Sequence, residues 1–122
     1  MTQAAQDILQ DQLETIRAKF ISLLDDRLDE LECLREQIDH EDQRQNALYH
    51  IQFIAHKIYG SAATLGLTDV GQSAAKTEET IVQYLIGIDP IPTLEDTKNI
   101  IDSFLDITAD VSSSAYWQSV RA

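Results

Sequence analysis

The chain has 122 residues, enough for one domain with a core of its own. Nine Lys and Arg against 21 Asp and Glu leave a formal net charge of −12, which argues against binding to nucleic acid or to an anionic membrane, since both need clustered basic residues. Hydrophobic residues make up 43% of the sequence, too many for a disordered chain, and the single cysteine, Cys33, excludes an intrachain disulfide.

The N-terminal residues Met1–Asp7 lack the basic and then apolar pattern of a signal peptide. No apolar run approaches the ~20 residues of a membrane span, so the chain reads as cytoplasmic. From about Gln6 to Ile38, apolar residues recur at helical spacing: Ile8, Leu9, Leu13, Ile16, Phe20, Leu23, Leu24, Leu28, Leu31, Leu34 and Ile38. The pattern predicts one long helix, or a short helix leading into a long one. Cys33 lies near that stripe and reads as a small buried hydrophobe. Asp39-His40-Glu41-Asp42 is a turn signal, with Asp39 or Asp42 as the cap of the next helix.

The second helix is expected over about Asp42 to Leu65, with Ala47, Leu48, Ile51, Ile54, Ala55, Ile58, Ala62 and Leu65 on its inner face and Gly66 as its C-terminal cap. Thr68 stands where the N-cap of a third helix belongs. That helix runs from about Asp69 to Ile86 with Val70, Ala74, Ile81 and Leu85 inward. Gly87-Ile88-Asp89-Pro90-Ile91-Pro92 breaks the chain. Thr93-Leu94-Glu95-Asp96 has the form of a capping box, with Asp where Glu or Gln is usual. A last helix, about Leu94 to Tyr116, carries Leu94, Ile100, Ile101, Phe104, Ile107 and Val111. The fold class is therefore all-α: an antiparallel four-helix bundle with an extra or extended N-terminal helix, residues 1–122 forming a single domain.

His56 lies in the second helix, with Gly60 one turn later. Glycine inside a helix costs about 1 kcal/mol relative to alanine, so a helix that keeps one needs space or close approach there. With about 100° per residue and Ile51 as the core direction, the apolar residues of this helix fall within roughly 60° of it, while His56 falls about 140° away. His56 is therefore expected on the outer face. Tyr49, Phe53, Gly60 and Ala63 surround it there, and Lys57 and Thr64 flank it where they could meet an anion. Tyr49 and Phe53 make an outward apolar patch of the kind that marks a partner surface, unless the N-terminal helix folds over them. Ser61 is not placed to be activated by His56. Neither the Glu36/His40 pair nor His50 gathers with His56 into a metal-ligand set. Gly60, Gly66, Gly71 and Gly87 are too scattered to form a nucleotide loop.

The run Ala55-His56-Lys57-Ile58-Tyr59-Gly60-Ser61-Ala62-Ala63-Thr64-Leu65-Gly66-Leu67 resembles the motif of the histidine-containing phosphotransfer (HPt) family. That motif reads His, two residues, Lys, Gly, Ser or Ala, Ala, and a Leu-Gly or similar pair a few residues later. The family also usually has a Glu or Gln near the position of Glu78, and the flanking helices match over almost the whole chain. The resemblance implies a phosphoryl carrier of a two-component phosphorelay. His56 would be the phosphoacceptor, Gly60 would give access, and Glu78 would orient the imidazole. Tyr49, Phe53, Tyr59, Ala63 and Thr64 would meet the partner. The partners implied are response-regulator receiver domains and a hybrid histidine kinase, with the Mg²⁺ supplied by the receiver and no cofactor in the chain itself. One departure stands out: where the family has Lys three residues after the His, this chain has Tyr59, and Lys57 is the nearby cation that would meet the phosphoryl charge. A domain that docks a receiver or kinase without relaying is the alternative.

Overall fold

The helical periodicity is realised as four helices in the computed structural model, which describes residues 2–113: α1 Gln3–Ile38, α2 Glu41–Leu65, α3 Thr68–Ile86 and α4 Leu94–Ser112. Each helix packs on its two neighbours, α1 on α2 and α4, and α3 on α2 and α4, so the four close into a bundle around one core. All eight residues expected inward on α2 are buried. Phe104 of α4, Leu24 and Leu31 of α1 and Ile81 of α3 are among the largest fully buried side chains. No strand occurs among the described residues.

The helix ends follow local chemistry. The Thr2 hydroxyl accepts from Ala5 N–H at 3.2 Å, and the Thr93 hydroxyl from Asp96 N–H at 3.0 Å. Gly66 takes φ +73° at the end of α2, and the next amide, Leu67 N–H, returns to the Ala62 carbonyl at 3.0 Å. That left-handed step is cheap only for glycine, and it turns the chain into α3 without a longer loop.

Of the two readings of the N-terminal stripe the structure takes the first: α1 is one continuous helix of 36 residues, about 54 Å long at 1.5 Å per residue, and it outruns its neighbours. Several other expectations are corrected. Arg17 Nε donates to the Leu65 carbonyl at 3.3 Å, so the end of α2 lies level with Arg17. The first buried residue of α1 is Phe20, while Ile8, Leu9 and Ile16 are exposed because no helix reaches back to cover them. Leu23 is exposed as well. Cys33 is exposed, not buried: Leu31 and Leu34 take the core positions and Cys33 falls between them on the outer side, where Gln37 Nε2 donates to its sulfur at 3.9 Å.

Neither Asp39 nor Asp42 caps α2; His40 occupies that position without a side-chain cap bond. Asp39 instead closes α1 and accepts from Lys98 Nζ at 2.8 Å and Arg35 Nη1 at 3.3 Å. Leu67 holds the N-cap place of α3, and Thr68 is already helical. The expected end of the last helix at Tyr116 lies outside the described residues. Four threonines missing from the apolar stripes, Thr77, Thr80, Thr97 and Thr108, are buried. Each donates its hydroxyl to the carbonyl four residues earlier at 2.7–2.8 Å, which lets a polar side chain enter the core satisfied.

Candidate functional site

The inward stripe of α2 sets the direction of everything else on that helix. With Ala55 and Ile58 buried, the residues between them, His56 and Lys57, must face out. The His56 side chain is 64% exposed. Its neighbour α3 comes close to α2 because small residues line the contact. A Cβ placed on Gly71 would already touch Ala62 Cβ at 3.4 Å, and Ala74, three residues further along α3, is buried. Larger side chains there would push α3 outward.

That close approach brings Glu78 of α3 to His56. Both carboxylate oxygens lie 3.0 Å from His56 Nδ1. An ionised carboxylate can only accept, so the nitrogen facing it carries the proton. In that tautomer the lone pair lies on Nε2, at the far side of the imidazole. Glu78 is half-sheltered, with 26% of its side chain exposed, so one end of the ring is held while the rest stands in solvent. Gly60 adds to that openness. A Cβ there would meet nothing within 4 Å, so no packing inside the chain demands glycine at this position.

The other expected site residues divide among three surfaces. Phe53, Lys57 and Gly60 share one groove with His56, walled on the opposite side by α1. The Lys57 ammonium sits 4.6 Å above the Phe53 ring, a cation–π contact that holds the lysine in the groove. Phe53 stays 50% exposed, so α1 flanks the aromatic patch and does not cover it. Tyr59 and Ala63 border a separate small recess between α2 and α3, with Gly71 and Gln72. Tyr49 stands two turns from His56, its ring 6.2 Å from that of His50, beside a shallow recess that reaches Leu85. The Thr64 hydroxyl, expected beside an anion, donates to the Gly60 carbonyl at 3.2 Å and is committed to its own helix.

Among the residues of α1 that line the groove beside His56 are Leu23, Arg27 and Glu30, which were not among the expected site residues. Their spacing of four and three places them on one edge of α1 next to the core stripe. The signal in the sequence was Arg27 itself, one cation inside Asp25-Asp26-Arg27-Leu28-Asp29-Glu30. Among the described residues no three His, Cys, Asp or Glu side chains are grouped to hold a metal ion, and no helix is long and apolar enough to cross a membrane.

A family model described as Hpt domain matches residues 7–102, the greater part of the chain. No curated protein and no solved structure matches it.

Proposed function

The chain belongs to the Hpt domain family, and from that premise we propose that it is a phosphoryl carrier that accepts the group on His56 Nε2 from a receiver aspartate and passes it to another receiver. The observation that carries this reading is the grip of Glu78 on Nδ1, with both carboxylate oxygens at 3.0 Å, on a ring that is otherwise open. It supports the tautomer that attacks through Nε2. In the step, the Nε2 lone pair forms a bond to phosphorus while the acyl-phosphate P–O bond breaks. Its electron pair returns to the aspartate carboxylate. The Nδ1 proton stays on the ring, and Glu78 balances the positive charge the ring acquires. Lys57 meets the phosphoryl charge, and Gly60 leaves room for the receiver. The bundle contributes position and charge, and the receiver contributes the Mg²⁺ and the acidic pocket. On this reading residues 1–122 form one cytoplasmic domain whose partners are receiver domains and the hybrid kinase that carries one.

The test is phosphorylation by a phosphorylated receiver or by phosphoramidate, read by intact mass and by acid lability of the label. One phosphoryl group on the wild type and none on His56→Gln is the expected result. Label that persists in His56→Gln would overturn the proposal. Tyr59, standing where the family carries Lys, favours a second reading, a module that docks receivers without relaying. That reading predicts receiver binding without any phosphoryl uptake, surviving His56→Gln and lost in Phe53→Asp.

A further inference from the structure

The family motif brings its cation from α2, three residues after the histidine. Here that position is Tyr59, and it faces the recess on the α3 side. The groove on the other side of His56 holds two cations from two helices, Lys57 of α2 and Arg27 of α1. Four of the other cations are committed: Arg17 and Arg44 donate to the backbone carbonyls of Leu65 and Ile38, Arg35 binds Asp39 and Asp102, and Lys98 binds Asp39. Arg27 is held only at the surface, by one 3.1 Å contact from Nη1 to Glu30 Oε2. Its side chain and that of Glu30 are 41% and 48% exposed, and an ion pair so open to water is weak and readily exchanged. A guanidinium keeps further N–H donors in a planar fork that matches two oxygens of a phosphoryl group, which a lysine ammonium does not.

We infer that Arg27 is a second phosphoryl-binding cation of this site, reaching across the groove from α1 to the group carried on His56 and supplying, with Lys57, the charge that the residue at position 59 does not. The inference rests on His56 being the phosphoacceptor. Bond formation at Nε2 leaves two negative charges on the phosphoryl oxygens beside Glu30. The dianion then competes with that carboxylate for the guanidinium, and Arg27 leaves Glu30 for it. The Nδ1 proton, which stays on the ring and is donated in a hydrogen bond to Glu78, and the phosphorus–nitrogen bond are unchanged by this exchange.

The test uses the full chain and phosphoramidate, a donor too small to use a docking surface. Arg27→Gln is expected to slow uptake on His56 on the order of tenfold at saturating donor, with Arg27→Lys intermediate and Glu30→Gln at least as fast as wild type. Helical circular dichroism and the melting temperature stay unchanged. The ³¹P resonance of the phosphohistidine should titrate at higher pH in Arg27→Gln, because the dianion has lost a cation; a merely structural arginine would not move it. Equal rates and equal titrations in wild type and Arg27→Gln would overturn the inference. So would a defect seen with a phosphorylated receiver and absent with phosphoramidate, which would make Arg27 a docking residue. Absence of label on His56 in the wild type would instead remove the phosphocarrier reading itself, and is told apart by being visible before any variant is made.

Discussion

The pair His56–Glu78 and the cluster Arg35–Asp39–Lys98–Asp102 are both acid–base contacts between helices, yet they leave opposite residues of reactivity. In the cluster every charged group is answered. Arg35 Nε lies 2.7 Å from Asp102 Oδ1, and Lys98 Nζ 2.8 Å from Asp39 Oδ1. The hydrogen bond from Arg35 to Asp102 holds the guanidinium above its ordinary pKa, and the hydrogen bond from Lys98, followed by that from Arg35, holds the Asp39 carboxyl below its own. The result ties the end of α1 to α4 and leaves no group over. At His56 the acid takes one nitrogen of a base that has two, so the contact leaves the second nitrogen, Nε2, uncommitted to Glu78. A contact between an acid and a base becomes a fastening or a site according to whether one partner keeps an unused function.

The largest effect should come from the core that both pairs depend on. Phe104→Ala, at a fully buried position, is expected to cost about 3–5 kcal/mol in chemical unfolding. It should weaken the cluster and the site together, and a loss below ~1 kcal/mol would deny that one core supports both. Next comes Glu78→Gln, which keeps the shape and removes the charge. Phosphoryl uptake should fall about tenfold or more, equivalent to roughly 1.4 kcal/mol in the barrier, with stability nearly unchanged. Uptake equal to wild type would reduce Glu78 to a helix fastening like Asp102.

Gly60→Ala sharpens the contrast from the other direction. A Cβ there meets nothing, so the substitution should stabilise the helix by about 0.5–1 kcal/mol while slowing transfer from a receiver. A gain in stability with unchanged transfer would show that access is not what the glycine serves. The smallest effect belongs to Asp39→Asn, a slight loss of melting temperature with phosphoryl uptake unaffected. Because the folded-state pKa of Asp39 lies below its usual 3.8, its contribution is complete above that pH and disappears as pH falls through the lower, folded-state value. The difference between wild type and Asp39→Asn should therefore close in acid. A difference that persists there would mean that the carboxylate's charge is not what holds the cluster.

The α2 stripe was legible residue by residue because a helix buried along one face repeats its apolar positions with the helical period, and all eight were buried as read. The outward face of His56 followed by subtraction. Cys33 was misplaced because its neighbours Leu31 and Leu34 are both core, and the spacing between them leaves no inner position for a third residue. The N-terminal third of α1 misled for a different reason. Ile8, Leu9 and Ile16 keep the helical spacing, but periodicity says which way a side chain points, not whether another helix is present to meet it. Arg27 escaped because its place at the site comes from the packing of α1 against α2, between residues far apart in sequence.

By itself the sequence determined what local forces control: four helices, their caps at Thr93 and Gly66, the inner face of α2, and the exposure of His56 over a glycine. These depend on propensity, capping bonds and a period within one helix. The tertiary structure decided which groups from different helices meet. It set both Glu78 oxygens 3.0 Å from Nδ1, placed Arg27 and Lys57 in the groove beside the ring, turned Tyr59 to the opposite side, and left the start of α1 uncovered. Such meetings depend on how closely small residues such as Gly71 and Ala62 let two helices approach, and on where each helix stops relative to its neighbours. No single stretch of chain contains that information.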